Sequence, residues 1–174
     1  KITVGPPFFN RVNAPLALAL VFLMGIGPVI AWRRATWSSL KRSFAWSGGF
    51  GLLVGALSIF LDGGNFYSTL AFSIAGFALA AVWVEFWRGM RVRQRIMGEK
   101  PWTALSRLIG KNRRRYGGYI VHVGIVMIFV GIVASSIFRV EKQEPLEVGQ
   151  ELPIAGYVLR YEGVEDASDP HVEI

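Results

Sequence analysis

One stretch holds the residues whose types and spacing could do chemistry. It reads Arg113-Arg114-Arg115-Tyr116-Gly117-Gly118-Tyr119-Ile120-Val121-His122-Val123-Gly124 and continues as an apolar run to Phe138. Between Arg115 and Arg139 there is no charged residue, and one histidine. A helix needs about 20 apolar residues to cross the ~30 Å hydrocarbon core. His122 is therefore an ionisable ring inside a membrane helix, roughly 8–10 Å in from its arginine-rich end at 1.5 Å rise per residue. Such a group is costly unless it is paired, which marks a functional position. A neutral imidazole there can bond between helices, ligate a haem iron or relay a proton. Gly118, at i−4, removes a side chain beside the ring, where a flat ligand would need room. Bis-histidine ligation would need a second histidine at similar depth. The chain's other histidine, His171, sits in a polar tail beside Asp169 and Glu173 and reads as a surface residue. A haem on His122 would thus take its second axial ligand from outside this chain.

Other chemistries find no residues. There is no cysteine, which excludes disulfides, Cys-ligated metals and thiol chemistry by the chain itself. No Ser-His-Asp set, Gly-rich phosphate loop or paired-carboxylate cleft is evident. Asp62 falls in Asp62-Gly63-Gly64-Asn65, a tight turn by composition. Glu85 has Arg88 at i+3 and is expected to snorkel into the membrane interface.

The elements that must position His122 follow from composition. Hydrophobic residues make up 52% of the 174, and the mean hydropathy is +0.40, too apolar for an ordinary soluble domain. The net charge of +7 does not read as a nucleic-acid surface, because the bases flank apolar runs. Four of them are Arg33, Arg34, Lys41 and Arg42, and ten more lie between Arg88 and Arg115. The fold class expected is an all-α bundle of four membrane helices followed by the start of a small extracytoplasmic β domain. Residues 1–13 are expected to form an external loop, since Pro6 and Pro7 oppose regular structure. Residues 14–139 form the bundle, with basic cytoplasmic loops at 33–43 and 88–115. Pro28 is expected to kink the first span. Gly51 and Gly55 allow close helix approach in the second, and alanines make the third a packing helix. Within the basic segment, Trp102, Leu105, Leu108 and Ile109 recur at helical spacing, as in a short amphipathic helix on anionic headgroups. In the last span Gly124 and Gly131 share a face, with Ser135 close by and His122 about 200° away. That glycine face is expected to be the tightly packed one.

Residues 140–174 change character. From Arg139 to Ile174 nine acids stand against three bases, and Leu146/Val148, Leu152/Ile154 and Tyr157/Leu159/Tyr161 alternate with polar residues. Short strands broken by Pro153 and Gly156 are expected, as the beginning of an acidic β region. Fourteen of the nineteen Lys and Arg fall on one side of a four-span topology, which sets the basic loops inside and both ends outside. The chain is expected to be a piece of a longer protein.

Three stretches carry a resemblance: Val4-Gly5-Pro6-Pro7-Phe8-Phe9-Asn10-Arg11-Val12, then Val84-Glu85-Phe86-Trp87-Arg88-Gly89, then Asn112 to Gly124. In order and spacing they resemble the C-terminal half of CcmF-type cytochrome c haem lyase subunits, and the likeness continues through Val140-Glu141-Lys142. The resemblance implies a bacterial inner-membrane protein that takes haem from the chaperone CcmE. It further implies joining the haem vinyl groups to the thiols of a CXXCH motif in apocytochrome c, together with other maturation subunits. It implies a resident haem b with His122 as an axial ligand to the iron. The family's tryptophan-rich external motif, its external histidines and a final membrane helix have no counterpart in these residues, so this segment alone is not expected to be active. The competing reading is a non-enzymatic membrane scaffold or transporter segment in which His122 bonds between helices.

Overall fold

The computed structural model describes residues 6–30, 37–142 and 144–163. Five helices precede one hairpin: α1 (Pro6–Val29), α2 (Trp37–Asp62), α3 (Phe66–Met97), α4 (Pro101–Lys111), α5 (Arg113–Ile137), β1 (Glu151–Ile154) and β2 (Tyr157–Arg160). Among the described residues, α1, α2, α3 and α5 are long and apolar enough to cross a membrane. The chain divides into two compact units, at Ile137 and Phe138.

In the helical unit α3 is central and packs against α1, α2, α4 and α5. Small residues make this possible. Ala71, Ala75, Gly76, Ala78 and Ala81 are buried along it. Gly51 and Gly55 of α2 lie so close that a Cβ on Gly51 would sit 2.6 Å from the Ser73 carbonyl oxygen, and one on Gly55 would strike the Ser73 hydroxyl. Backbones this near exchange dispersion contacts that larger residues would prevent. The small core is Val21, Ala75, Ala78 and Val126, which joins α1, α3 and α5.

The ends of the elements differ from expectation in ways that have physical causes. The loop expected through Asn13 is helical from Pro6, because proline is tolerated in a first turn, where its missing N–H has no helical partner to lose. Pro28 lies in the final turn of α1, so it marks an end more than a mid-span break. Arg33 and Arg34 lie outside the described residues, whereas Lys41 and Arg42 belong to α2 and not to a loop. The Asp62–Asn65 turn forms, and the Asn65 side chain accepts from the Tyr67 N–H at 3.0 Å to cap α3.

The segment 88–115 is not a loop but two helices and a corner. At 32 residues α3 is about 48 Å long. That exceeds the hydrocarbon core, and its Arg-rich last turns run beyond it. Gly98 ends it with φ +64°, and Pro101 opens α4. The amphipathic helix does form here, yet its buried face, Ala104 and Leu108, is turned to protein. Leu108 packs at Gly89 of α3, where a Cβ would meet its Cδ2 at 2.7 Å.

Glu99 pins this corner. Its carboxylate accepts from Arg93 Nη2 at 2.9 Å and Arg93 Nε at 3.1 Å, and from Arg107 Nη1 at 2.7 Å. The hydrogen bonds from Arg93 and then Arg107 hold its pKa below the ordinary carboxylate range. A depressed folded pKa means the contribution is complete above the ordinary range and is lost as pH falls through the lowered value. Acidification below that range is therefore expected to release α4 from α3, read as faster amide exchange across 101–111. Glu99→Gln should show the faster exchange already at neutral pH and lose the acid dependence.

In the second unit β1 and β2 pair antiparallel, with Glu151 opposite Arg160 and Ile154 opposite Tyr157. Ala155 (φ 50°) and Gly156 (φ 84°) form a two-residue turn of the kind that matches strand twist. Pro153 is accommodated because a two-stranded hairpin has only edge strands. The alternation at Leu146 and Val148 does not produce a strand. Residues 164–174, including His171, lie outside the described residues.

Candidate functional site

His122 is half-buried in the second turn-pair of α5, and its Nδ1 is sealed from solvent without a hydrogen-bond partner. Among the described residues it shares that condition with one other side-chain atom, Ser47 Oγ. An unpaired buried polar atom costs about 1–3 kcal/mol. The His122 side chain makes no hydrogen bond to any described residue, so the interhelical bond that the sequence permits is not formed among them.

The ring is on the bundle side of α5. Val126, one turn on, is buried against Val21, Ala75 and Ala78. Phe129, two turns on, packs against the same cluster. The glycine face is therefore not the packed one. Gly124 and Gly131 meet nothing within 4 Å among the described residues, and the buried residues of α5, Tyr116 and Val126, lie on another side. Glycine spacing could not reveal this, since small residues permit contact but do not cause it.

Gly118 also has nothing among the described residues within 4 Å of where a Cβ would lie. Open space therefore lies one turn before His122, and the next turn back carries Arg115. Seven residues is nearly two helical turns, so Arg115 and His122 point to the same side, about 10 Å apart along the axis.

Arg115 belongs to a polar knot across three helices. Its Nη2 donates to Glu85 Oε2 at 2.5 Å and its Nε to the Tyr119 hydroxyl at 3.0 Å. Glu85 also meets Arg88 Nη1 at 3.5 Å, and Arg88 Nη2 donates to Ser43 Oγ of α2 at 2.6 Å. Phe86, Tyr116 and Tyr119 meet tilted or edge-to-face around the knot, with ring centroids 5.1–6.1 Å apart. Glu85 does not snorkel to the interface. It is only 6% exposed, and its pairing with Arg88 is secondary to a shorter bond across to α5. The missed signal was available: Glu85 is the lone acid between Asp62 and Glu99, and a lone carboxylate in an apolar span needs a cation. The knot fixes the rotation and depth of the helix that carries His122.

One concavity of the bundle is not lined by His122. It is a groove of about 690 Å³ lined by apolar side chains, among them Phe50, Trp83, Phe86, Trp87, Leu105 and Ile120. Ile120 is about 160° round α5 from His122. The groove offers no group able to do chemistry, so the site is assigned to His122. No cluster of three or more His, Asp or Glu side chains able to hold a bare metal ion occurs among the described residues. A prosthetic iron is different: Nδ1 is sealed by protein, so such a group would be held through Nε2, with the open turn at Gly118 leaving it room.

No family model matches the chain, and no solved structure matches it. It is similar to the cytochrome c-type biogenesis protein CycK of Rhizobium meliloti strain 1021, at 24% identity over 172 residues. Similarity extends to the CcmF proteins of Pseudomonas fluorescens (27% over 171 residues) and Haemophilus influenzae (26% over 172 residues). Each alignment covers 98% of this chain and 25–26% of the relative. The chain spans about a quarter of the length of the curated relatives it matches.

Proposed function

We propose that this chain, homologous to the CcmF and CycK cytochrome c-type biogenesis proteins, forms part of a cytochrome c maturation haem lyase in a bacterial inner membrane. The observation that carries the reading is His122: an unpartnered imidazole, turned inward, beside a turn left open by Gly118. His122 would hold a haem b as one axial ligand. A bound haem b supplies a one-electron redox centre whose potential depends on its ligands and on burial. The other roles belong to the chain. Arg115 and Glu85 tie α5 to α3, and Arg88 ties α3 to Ser43 of α2, so that the ring stays at one depth. Val126 and Phe129 exclude water beneath it.

The assembled protein would take haem from CcmE and attach it to the CXXCH cysteines of apocytochrome c alongside other maturation subunits. The thiols would come from the apocytochrome, in keeping with a chain that has none. The basic residues on α3, α4 and the start of α5 favour a cytoplasmic position for that end of the bundle, and the acidic hairpin region an external one. A reduced-minus-oxidised spectrum of the purified full-length protein tests the reading. Absorption bands of a b-type haem are expected. A featureless difference spectrum would instead favour a scaffold without cofactor.

A further inference from the structure

We propose that Arg115 receives a carboxylate of the group held at His122, so that a planar cofactor lies along α5 with its acidic edge turned to the arginine-rich end. This rests on the haem reading above and adds the orientation and the anion contact. Three features of the chain support it. Arg115 and His122 share one side of the helix, and the turn between them at Gly118 is open. Only two of the five guanidinium N–H donors of Arg115 are used, one by Tyr119 and one by Glu85, and its side chain is 50% exposed. Finally, Glu85, Arg88 and Arg115 together carry one net positive charge at the edge of an apolar span, and no second carboxylate from α3 or α5 balances it. A carboxylate brought into this region needs a cation. Arg115 is already held in place by Glu85 and Tyr119, so little side-chain freedom would be lost on binding.

The alternative is that Arg115 serves the knot alone, and the test separates the two. Haem-free full-length protein is titrated with ferric haem and with its dimethyl ester, following tryptophan quenching and the visible spectrum. The wild type should prefer the free acid by about tenfold or more, the size of a hydrogen bond to a charged group. In the double variant E85Q/R115Q, which keeps a neutral hydrogen-bonding pair, that preference should fall close to one while the ester still binds with a histidine-type spectrum. An undiminished preference in E85Q/R115Q overturns the proposal, as does an equal loss of affinity for acid and ester. Where E85Q/R115Q does not accumulate, the wild type and Arg115→Lys carry the test: both should keep the preference, and a wild type without one overturns the proposal. A wild type that shows no histidine-dependent spectrum with either compound overturns the haem reading itself, and this orientation with it.

Discussion

On the haem proposal, His122→Leu is expected to abolish the b-type bands of the full-length protein while leaving the haem-free bundle as stable as before, or more so. The two halves of this result have one cause. His122 forms no hydrogen bond among the described residues, and its sealed Nδ1 carries a desolvation cost of about 1–3 kcal/mol. Leucine of similar reach keeps the apolar contact beside Val126 and Phe129 and removes that cost. A residue that weakens the empty fold and is needed for the loaded one marks a binding site. Thermal unfolding of haem-free wild type and variant checks the stability half, and a difference spectrum checks the other. A variant destabilised by several kcal/mol would mean that His122 is structural.

Gly51→Val is expected to be far more damaging to the fold. A Cβ at Gly51 would lie 2.6 Å from the Ser73 carbonyl oxygen and 3.0 Å from Phe77 Cβ. A backbone oxygen cannot swing aside, so α2 and α3 must separate. Forced overpacking costs about 1–3 kcal/mol even in cores that can relax, and a rigid backbone contact lies at the upper end. The same movement would pull Ser43 from Arg88 and loosen the knot at Glu85. Loss of a folded detergent-soluble peak is the expected readout. Gly124→Val is the informative contrast, because that position has nothing within 4 Å among the described residues. Any damage it caused in the full-length protein would report a neighbour contributed from outside these residues.

These contrasts show how far the sequence could be read. The four spans and the Asp62–Asn65 turn were legible, because hydropathy and turn chemistry act locally. The close approach of α2 to α3 was legible too, since only small residues at that spacing admit it. Which face of α5 packs was not legible. Gly124 and Gly131 look like a packing face, yet the neighbours of α5 sit on the side of Val126. That choice depends on where α1 and α3 lie, and no local signal encodes it. Glu85 failed for a similar reason. Arg88, three residues on, is the obvious partner in sequence, whereas Arg115 becomes its neighbour only when α4 folds back and returns the chain to α3. The docking of α4 was half legible: its amphipathic face was plain, but Gly89 shows that protein as well as headgroups covers it.

At the candidate site, the imidazole was identified by its place in an uncharged span, and the open turn at Gly118 by its lack of a side chain. The unpaired state of Nδ1 was not readable, because a histidine in a bundle can find a partner on any of several helices. The knot that holds it is a three-helix arrangement in which Arg115 meets Glu85, Glu85 meets Arg88, and Arg88 meets Ser43. Such a contact arises from folding as a whole.

The most direct measurement is the visible spectrum of the full-length His122→Gly protein, recorded before and after adding free imidazole. If the ring supplies a ligand to iron, the b-type bands should be absent from the variant and should return with imidazole, which can occupy the space left beside Gly118. Bands that persist unchanged in His122→Gly without imidazole would contradict the assignment.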